Sequence, residues 1–263
     1  MTAAYLLLAA LLFRSCLGAE NEKVGSPSFT PDSIVNSANG SSESLTPNGL
    51  ATIYGSYLAE GTASVPDVGT AELPTMLGNV RVAIGGVFVS LFYVSPGKVN
   101  FLIPSELLPG DVDLLLNNRG QILTVRIKLL DAAPALFSTE GWVTAAHADG
   151  SLISLEAPGR PGETVMIYGA GLGPTDPPQV DGMIPRASAP ILLLDRLRVM
   201  LDGESLPGES ILYAGITTGQ AGKYQINLRL PVTMVKGDPE LRIALGDRIS
   251  QSALLLRVAV DAP

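Results

Sequence analysis

Few side chains in this chain are suited to chemistry, and their spacing argues against most uses of them. His147 is the single histidine of 263 residues, and Asp149 stands close enough in sequence to orient its imidazole. A nucleophilic triad also needs a serine on a strained turn, yet no Gly-x-Ser-x-Gly occurs. His147 therefore reads as a loop histidine without chemistry. Paired carboxylates are the more serious enzymatic option, because glycoside cleavage needs only two Asp or Glu facing one cleft. Asp149, Glu156, Asp176 and Asp181 lie where loops of the second half are expected, but with 25 acidic residues some loop pairs are inevitable. Asp111-Val112-Asp113 is too sparse for a calcium loop, so no metal or other cofactor is assigned. Gly169-Ala170-Gly171-Leu172-Gly173 invites a dinucleotide reading, but Pro174 blocks the helix that would hold the pyrophosphate. Gly222-Lys223 fails as a phosphate loop, because Thr217 stands where its first glycine is needed.

The elements that would carry such residues follow from an internal repeat. Residues 47–58, Pro-Asn-Gly-Leu-Ala-Thr-Ile-Tyr-Gly-Ser-Tyr-Leu, align without a gap on residues 161–172, Pro-Gly-Glu-Thr-Val-Met-Ile-Tyr-Gly-Ala-Gly-Leu. Residues 80–86 match 197–203, residues 99–104 match 226–231, and Gly110-Asp111 matches Gly237-Asp238. Both copies close alike, at residues 130–134 and 260–263. Each copy is a string of short alternating apolar runs separated by Gly, Pro, Asn and Asp, the pattern of an all-β sandwich. Gly85-Gly86 and Asn118-Arg119-Gly120 read as hairpin turns, and residues 121–130 and 252–260 as closing strands. The connections 55–80 and 169–197 are long for a compact domain, and each is expected to hide a short strand or helical turn, near residues 74–77 and 191–194.

Four residues are candidates for a ligand surface. Trp142, the single tryptophan, stands at the start of the second copy, where an exposed ring could stack on a sugar or a partner; the blander alternative is that it fills the interface between the copies. Thr217, Thr218 and Gln220 lie in an insertion: Tyr93 to Asn100 advances 7 residues, whereas Tyr213 to Asn227 advances 14. Loops grown on a constant scaffold are where binding surfaces are usually built. Tyr54 and Tyr168, equivalent in the repeat, read as core or corner residues.

Composition sets the compartment and excludes other partners. Residues 3–13 form an apolar run too short to span a membrane, followed by Leu17-Gly18-Ala19 and the polar Glu20, as in a secretory leader cleaved after Ala19. No membrane span is expected in the mature chain. That cleavage would also remove Cys16, the single cysteine. A net charge of −8 provides no basic field for nucleic acid.

The stretches Ser33-Ile34-Val35-Asn36-Ser37-Ala38, Leu91-Phe92-Tyr93-Val94-Ser95-Pro96-Gly97-Lys98-Val99-Asn100, Ile167-Tyr168-Gly169-Ala170-Gly171-Leu172-Gly173-Pro174 and Tyr224-Gln225-Ile226-Asn227 carry a resemblance. The chain resembles a paralogous extracytoplasmic domain family of unknown function from Solibacter-type acidobacteria, found at the C-terminus of large secreted proteins. Each half is similar to an immunoglobulin-like domain of the IPT/TIG type. The resemblance implies the fold and the compartment, and it supplies no catalytic residues.

The expectation is a leader over residues 1–19 followed by two tandem immunoglobulin-like β-sandwiches, residues 20–134 and 135–263. The expected role is secreted or periplasmic, non-catalytic binding or display, with a protein or glycan partner. The rivals are an extracellular polysaccharide hydrolase using a loop carboxylate pair and a structural spacer without a ligand.

Overall fold

The computed structural model describes residues 25–66, 71–234 and 237–259; the expected leader and its cleavage site lie outside them. The first half runs through β1 (Ile34–Asn36), β2 (Leu50–Tyr54), β3 (Ala63–Ser64), β4 (Val80–Ile84), β5 (Val87–Phe88), β6 (Ser90–Ser95), β7 (Lys98–Leu102), β8 (Gly110–Asn118) and β9 (Gln121–Leu129). They pair as β1-β2-β7-β6-β3 in one sheet and β5-β4-β8-β9 in the other. The second half runs through β10 (Ala135–Leu136), β11 (Ser138–Thr139), β12 (Trp142–Val143), β13 (Ala145–His147), β14 (Thr164–Ala170), β15 (Ala189–Pro190), β16 (Leu197–Leu201), β17 (Glu204–Ser205), β18 (Ile211–Ile216), β19 (Tyr224–Arg229), β20 (Leu241–Leu245) and β21 (Arg248–Ile249). Its sheets are β10-β14-β19-β18-β15, with β13 also on β14, and β17-β16-β20-β21.

Both orders are A-B-E-D against C′-C-F-G, the immunoglobulin arrangement. The chain is all-β, two tandem immunoglobulin-like sandwiches related by duplication. Period-two alternation drives each sheet onto the other. In the first core Ile53, Leu91 and Phe101 meet Val82, Ile84, Leu114 and Leu116 from the opposite sheet, all fully buried. In the second, Val165, Ile167, Ile226 and Leu228 meet Val199, Leu241 and Ile243. The first core draws on residues 29–129 and the second on residues 132–258. One cysteine cannot form an intrachain disulfide, so cohesion rests on this packing, where each large apolar side chain contributes about 1.5–3 kcal/mol.

Turn chemistry fixes the registers. Gly85-Gly86 and Arg119-Gly120 hold positive φ at both positions, as does Asp202-Gly203 in the second copy. Two-residue hairpins of this hand match the twist of the strands they join. Two expectations are corrected. The closing strand of the second copy is the two-residue β21, and residues 252–259 run as irregular chain tied by isolated bridges from Leu255 to Trp142 and Glu240. Ala253, at φ 59°, interrupts the extended backbone there. In the connection 55–80 the strand is β3, not residues 74–77; the connection 169–197 carries β15 and a 3₁₀ turn at Leu194–Arg196.

The long connections have a second task, which is to meet each other. Leu73 N donates to Gly182 O at 2.7 Å and Ile184 N to Ala71 O at 3.0 Å, joining the halves through a short antiparallel contact. Beneath it Leu73, Leu102 and Ala221 form a third apolar cluster, with Leu50, Phe92 and Ile184 packed against it. Ser105 adds polar ties, its N donating to Asp181 Oδ1 at 2.6 Å and its Oγ to Gln179 O at 3.2 Å. Gly222 reaches the cluster only because it lacks a side chain: a Cβ there would lie 2.6 Å from Leu102 Cδ1 and 2.9 Å from Leu50 Cγ, at a φ of +72°.

Gly222→Val therefore loosens the joint without touching either sandwich core. The expected cost is about 1–3 kcal/mol in thermal unfolding, with new protease cleavage near Leu130. An unchanged melting temperature together with an unchanged digestion pattern would show that this loop does not hold the halves together.

Candidate functional site on the outer sheet faces

The strands that bury one face of each A-B-E-D sheet necessarily turn the other outward. Ile53 and Val99 point into the first core, so their neighbours Tyr54, Lys98 and Asn100 face away from it. Tyr54 stands opposite Lys98, and Tyr93 opposite Asn100. The second copy repeats the layout, with Tyr168 opposite Gln225 and Tyr213 opposite Asn227. The register shift before Tyr93 recurs before Tyr213, so even the irregularity that aims these tyrosines is kept.

The equivalent tyrosines sit in different surroundings. Tyr54 is 52% exposed, which corrects its reading as a core residue: it follows the inward Ile53 by one position and so must face out. Behind it, Ser37 Oγ and Thr52 Oγ1 lie 2.9 Å apart, and Thr52 Oγ1 donates to Asn100 Oδ1 at 3.2 Å. Lys98 Nζ sits 5.0 Å from the centroid of the Tyr93 ring. In the second copy Lys223 Nζ lies 3.9 Å from the centroid of the Tyr168 ring and 5.9 Å from that of Phe137. Burial raises the Tyr168 hydroxyl pKa and lowers that of Lys223. Gln225 Nε2 donates to Asn227 Oδ1 at 2.6 Å. Tyr213 is turned inward along its own strand, its hydroxyl donating to Ile216 O at 3.0 Å.

The residues singled out from the sequence are scattered. Trp142 is half-buried on β12 with the Arg257 guanidinium 3.6 Å from its ring centroid. Its backbone pairing partners Thr139 and Leu255, like Arg257, belong to the second half. Thr217 is half-buried, its N donating to Lys223 O, and its hydroxyl has no hydrogen-bond partner. Thr218 and Gln220 are exposed, while Ala221 and Gly222 in the same loop pack into the joint. Only the tip of the inserted loop thus faces solvent. The signal that sequence reasoning missed was Tyr54 and Tyr168 themselves, whose period-two neighbours already placed them on the outer face.

The four carboxylates singled out from the sequence, Asp149, Glu156, Asp176 and Asp181, are all exposed at the surface. Hydrogen bonds from the Ser151 hydroxyl and backbone hold Asp149 below the usual carboxylate range. Backbone and Ser154 hydrogen bonds do the same for Glu156, the wrong direction for a general acid. Asp181 is used at the joint. A groove of about 520 Å³, lined by Asp32, Glu43, Asp111, Arg126, Lys128 and Arg248 among others, mixes both charge signs at the surface. Among the described residues no cluster of three or more His, Cys, Asp or Glu could hold a metal ion, and no helix is long and apolar enough to cross a membrane.

His147 is more firmly held than a free loop histidine. Its Nδ1 lies 2.5 Å from Glu163 Oε1 and its Nε2 lies 3.1 Å from Ala157 O. Both partners can accept, so the protonated ring, with an N–H at each nitrogen, satisfies both contacts. The hydrogen bond to Glu163 is the largest cause of its raised pKa; partial burial opposes it, and the Ala157 carbonyl adds to it.

No protein-family model matches the chain, and no curated protein matches it. Among solved structures it is similar to the surface glycan-binding protein SGBP-B of the Bacteroides ovatus mixed-linkage glucan utilization locus, at 12% identity and a TM-score of 0.33, over 83% of this chain and 44% of that one. It is similar to surface glycan-binding protein PbSGBP-B from Prevotella bryantii, at 13% identity and a TM-score of 0.27, over 87% and 41%. It is also similar to the I9–I11 tandem of titin, at 10% identity and a TM-score of 0.24, over 89% and 65%. The chain spans less than half the length of both glycan-binding proteins.

The His147 pair generates a pH dependence of defined sign. Its pKa is raised above the ordinary 6.5 on folding, so its contribution to stability is complete below that value and is lost as pH rises through the folded pKa. Melting temperatures measured from about pH 6 to about pH 9 should fall with pH in the wild type relative to His147→Gln. Parallel curves for the two proteins would refute the pairing.

Proposed function

We propose that the chain is an extracytoplasmic, non-catalytic module that contacts glycan through the outer faces of its A-B-E-D sheets. The observation that carries this reading is the exposed Tyr54 ring, standing in register with Lys98 on the outer sheet face with Asn100 beside it. An aromatic ring offers an apolar plane for the C–H face of a sugar, while neighbouring amide and ammonium groups match its hydroxyls. The layout of aromatic and amide positions recurs in the second copy. Rigid strands rather than mobile loops carry these groups, so little ordering cost accompanies binding. Catalysis finds less support, because Asp149 and Glu156 are held ionised rather than protonated. The extracytoplasmic assignment rests on the leader-like residues 3–19 and on the family resemblance.

The test is binding of the full chain to a panel of neutral and acidic polysaccharides by calorimetry, with Tyr54→Ala beside the wild type. The expected result is a bound polysaccharide whose affinity drops at least about tenfold in the variant with the melting temperature retained. Absence of binding across the panel would favour a spacer role and overturn the proposal.

A further inference from the structure

A sheet face that contacts sugars can also select among them by charge, and Lys223 is placed to do so. Its ammonium stands over the Tyr168 ring, with Phe137 at its flank. It is half-buried, and loss of water lowers its pKa. Among the described residues no carboxylate lies within 4.0 Å of it. The ring quadrupoles offset part of the lost hydration, a cation–π contact being worth about 0.5–2 kcal/mol, but they carry no full negative charge. Lys223 is therefore left short of an anion.

Beside it the amides are ordered but unsaturated. Gln225 Nε2 is committed to Asn227 Oδ1, leaving Gln225 Oε1 and Asn227 Nδ2 as an acceptor and a donor on the same face. A carboxylate next to sugar hydroxyls fits this set. The charged group would meet the ammonium in a charge-assisted hydrogen bond, about twice as strong as a neutral one, while hydroxyls meet the amides.

We propose that Phe137, Tyr168, Lys223, Gln225 and Asn227 form a subsite for a uronate-bearing glycan. This rests on the glycan-binding reading above and narrows it for the second half. The net charge of −8 opposes polyanions at long range, but charges more than about 8 Å apart are largely screened at physiological salt. Recognition must then come from contact, and affinity should fall as salt is added.

Calorimetry on the full chain with polygalacturonate, its methyl ester and a neutral β-glucan tests this. Lys223→Met should weaken polygalacturonate binding about tenfold or more and leave methyl-ester binding unchanged. Lys223→Arg should keep most of the affinity, and both variants should melt as the wild type does. Lys128→Met, which removes the same charge from an exposed position on β9, should change polygalacturonate binding less than about twofold. Equal binding of polygalacturonate and its ester, or equal losses in Lys223→Met and Lys128→Met, would overturn the subsite. Binding of β-glucan but not polygalacturonate would sink the subsite while the glycan reading stands, and silence towards every glycan would remove both.

Discussion

One hydroxyl with no access to water is bonded to both halves at once. Tyr224 is fully buried, and its Oη donates to Gly173 O at 2.5 Å while accepting from Asn48 Nδ2 of the other half at 3.1 Å. Burial pushes its pKa up to about 12, so it remains a donor at any physiological pH. Leaving such a buried partner unsatisfied costs about 1–3 kcal/mol, which makes the bond a constraint on geometry more than a surplus of stability. Tyr224 opens β19, the strand that carries Gln225 and Asn227, and it follows directly on Gly222 and Lys223. The position of the outer face and the position of the joint are therefore set by the same few residues.

The duplication explains which parts were free to change. Core strands cannot shift by one residue without exchanging buried and exposed faces, and the two copies keep even their irregularity before Tyr93 and Tyr213. The connections carry no such restriction. In the first copy Gly97 closes a tight turn where the second has Tyr224, and the added length of the second loop reaches across to Leu50 and Leu102. An insertion that looks like a ligand loop in a linear comparison is, in large part, the lock between domains.

This marks where sequence reasoning reached its limit. The repeat, the hairpin turns at Gly85-Gly86 and Arg119-Gly120, and the sandwich class were legible because they depend on local alternation and on residues that accept positive φ. The outer position of Tyr54 was equally available from its neighbour Ile53, and was missed by weighing the residue type above its phase. What could not be read was contact between distant segments: the pairing of residues 71–73 with 182–184, or the use of Asp181 by Ser105. Nothing in the periodicity of either connection records its partner, since short edge pairings are specified by both segments and by the cores that present them. Likewise Trp142 drew attention as a lone aromatic, yet Arg257, distant in sequence, takes up its ring.

The joint also limits where a ligand can sit. On the first sheet the outer ends of β2 and β7, at Leu50 and Leu102, are covered by the apolar cluster, which leaves the opposite ends with Tyr54 and Lys98 open. On the second sheet the corresponding open positions are Tyr168 and Gln225, and the loop that locks the halves delivers Lys223 beside them. Equivalent positions thereby acquire different chemistry: an open ring opposite Lys98 in one copy, a ring opposite Gln225 and under a loop-borne cation in the other. A fixed joint also holds the two outer faces in one relative order, so no free energy is needed to align them. The loop after β18 can thus alter both the joint and the charge of the second face while the two cores stay intact.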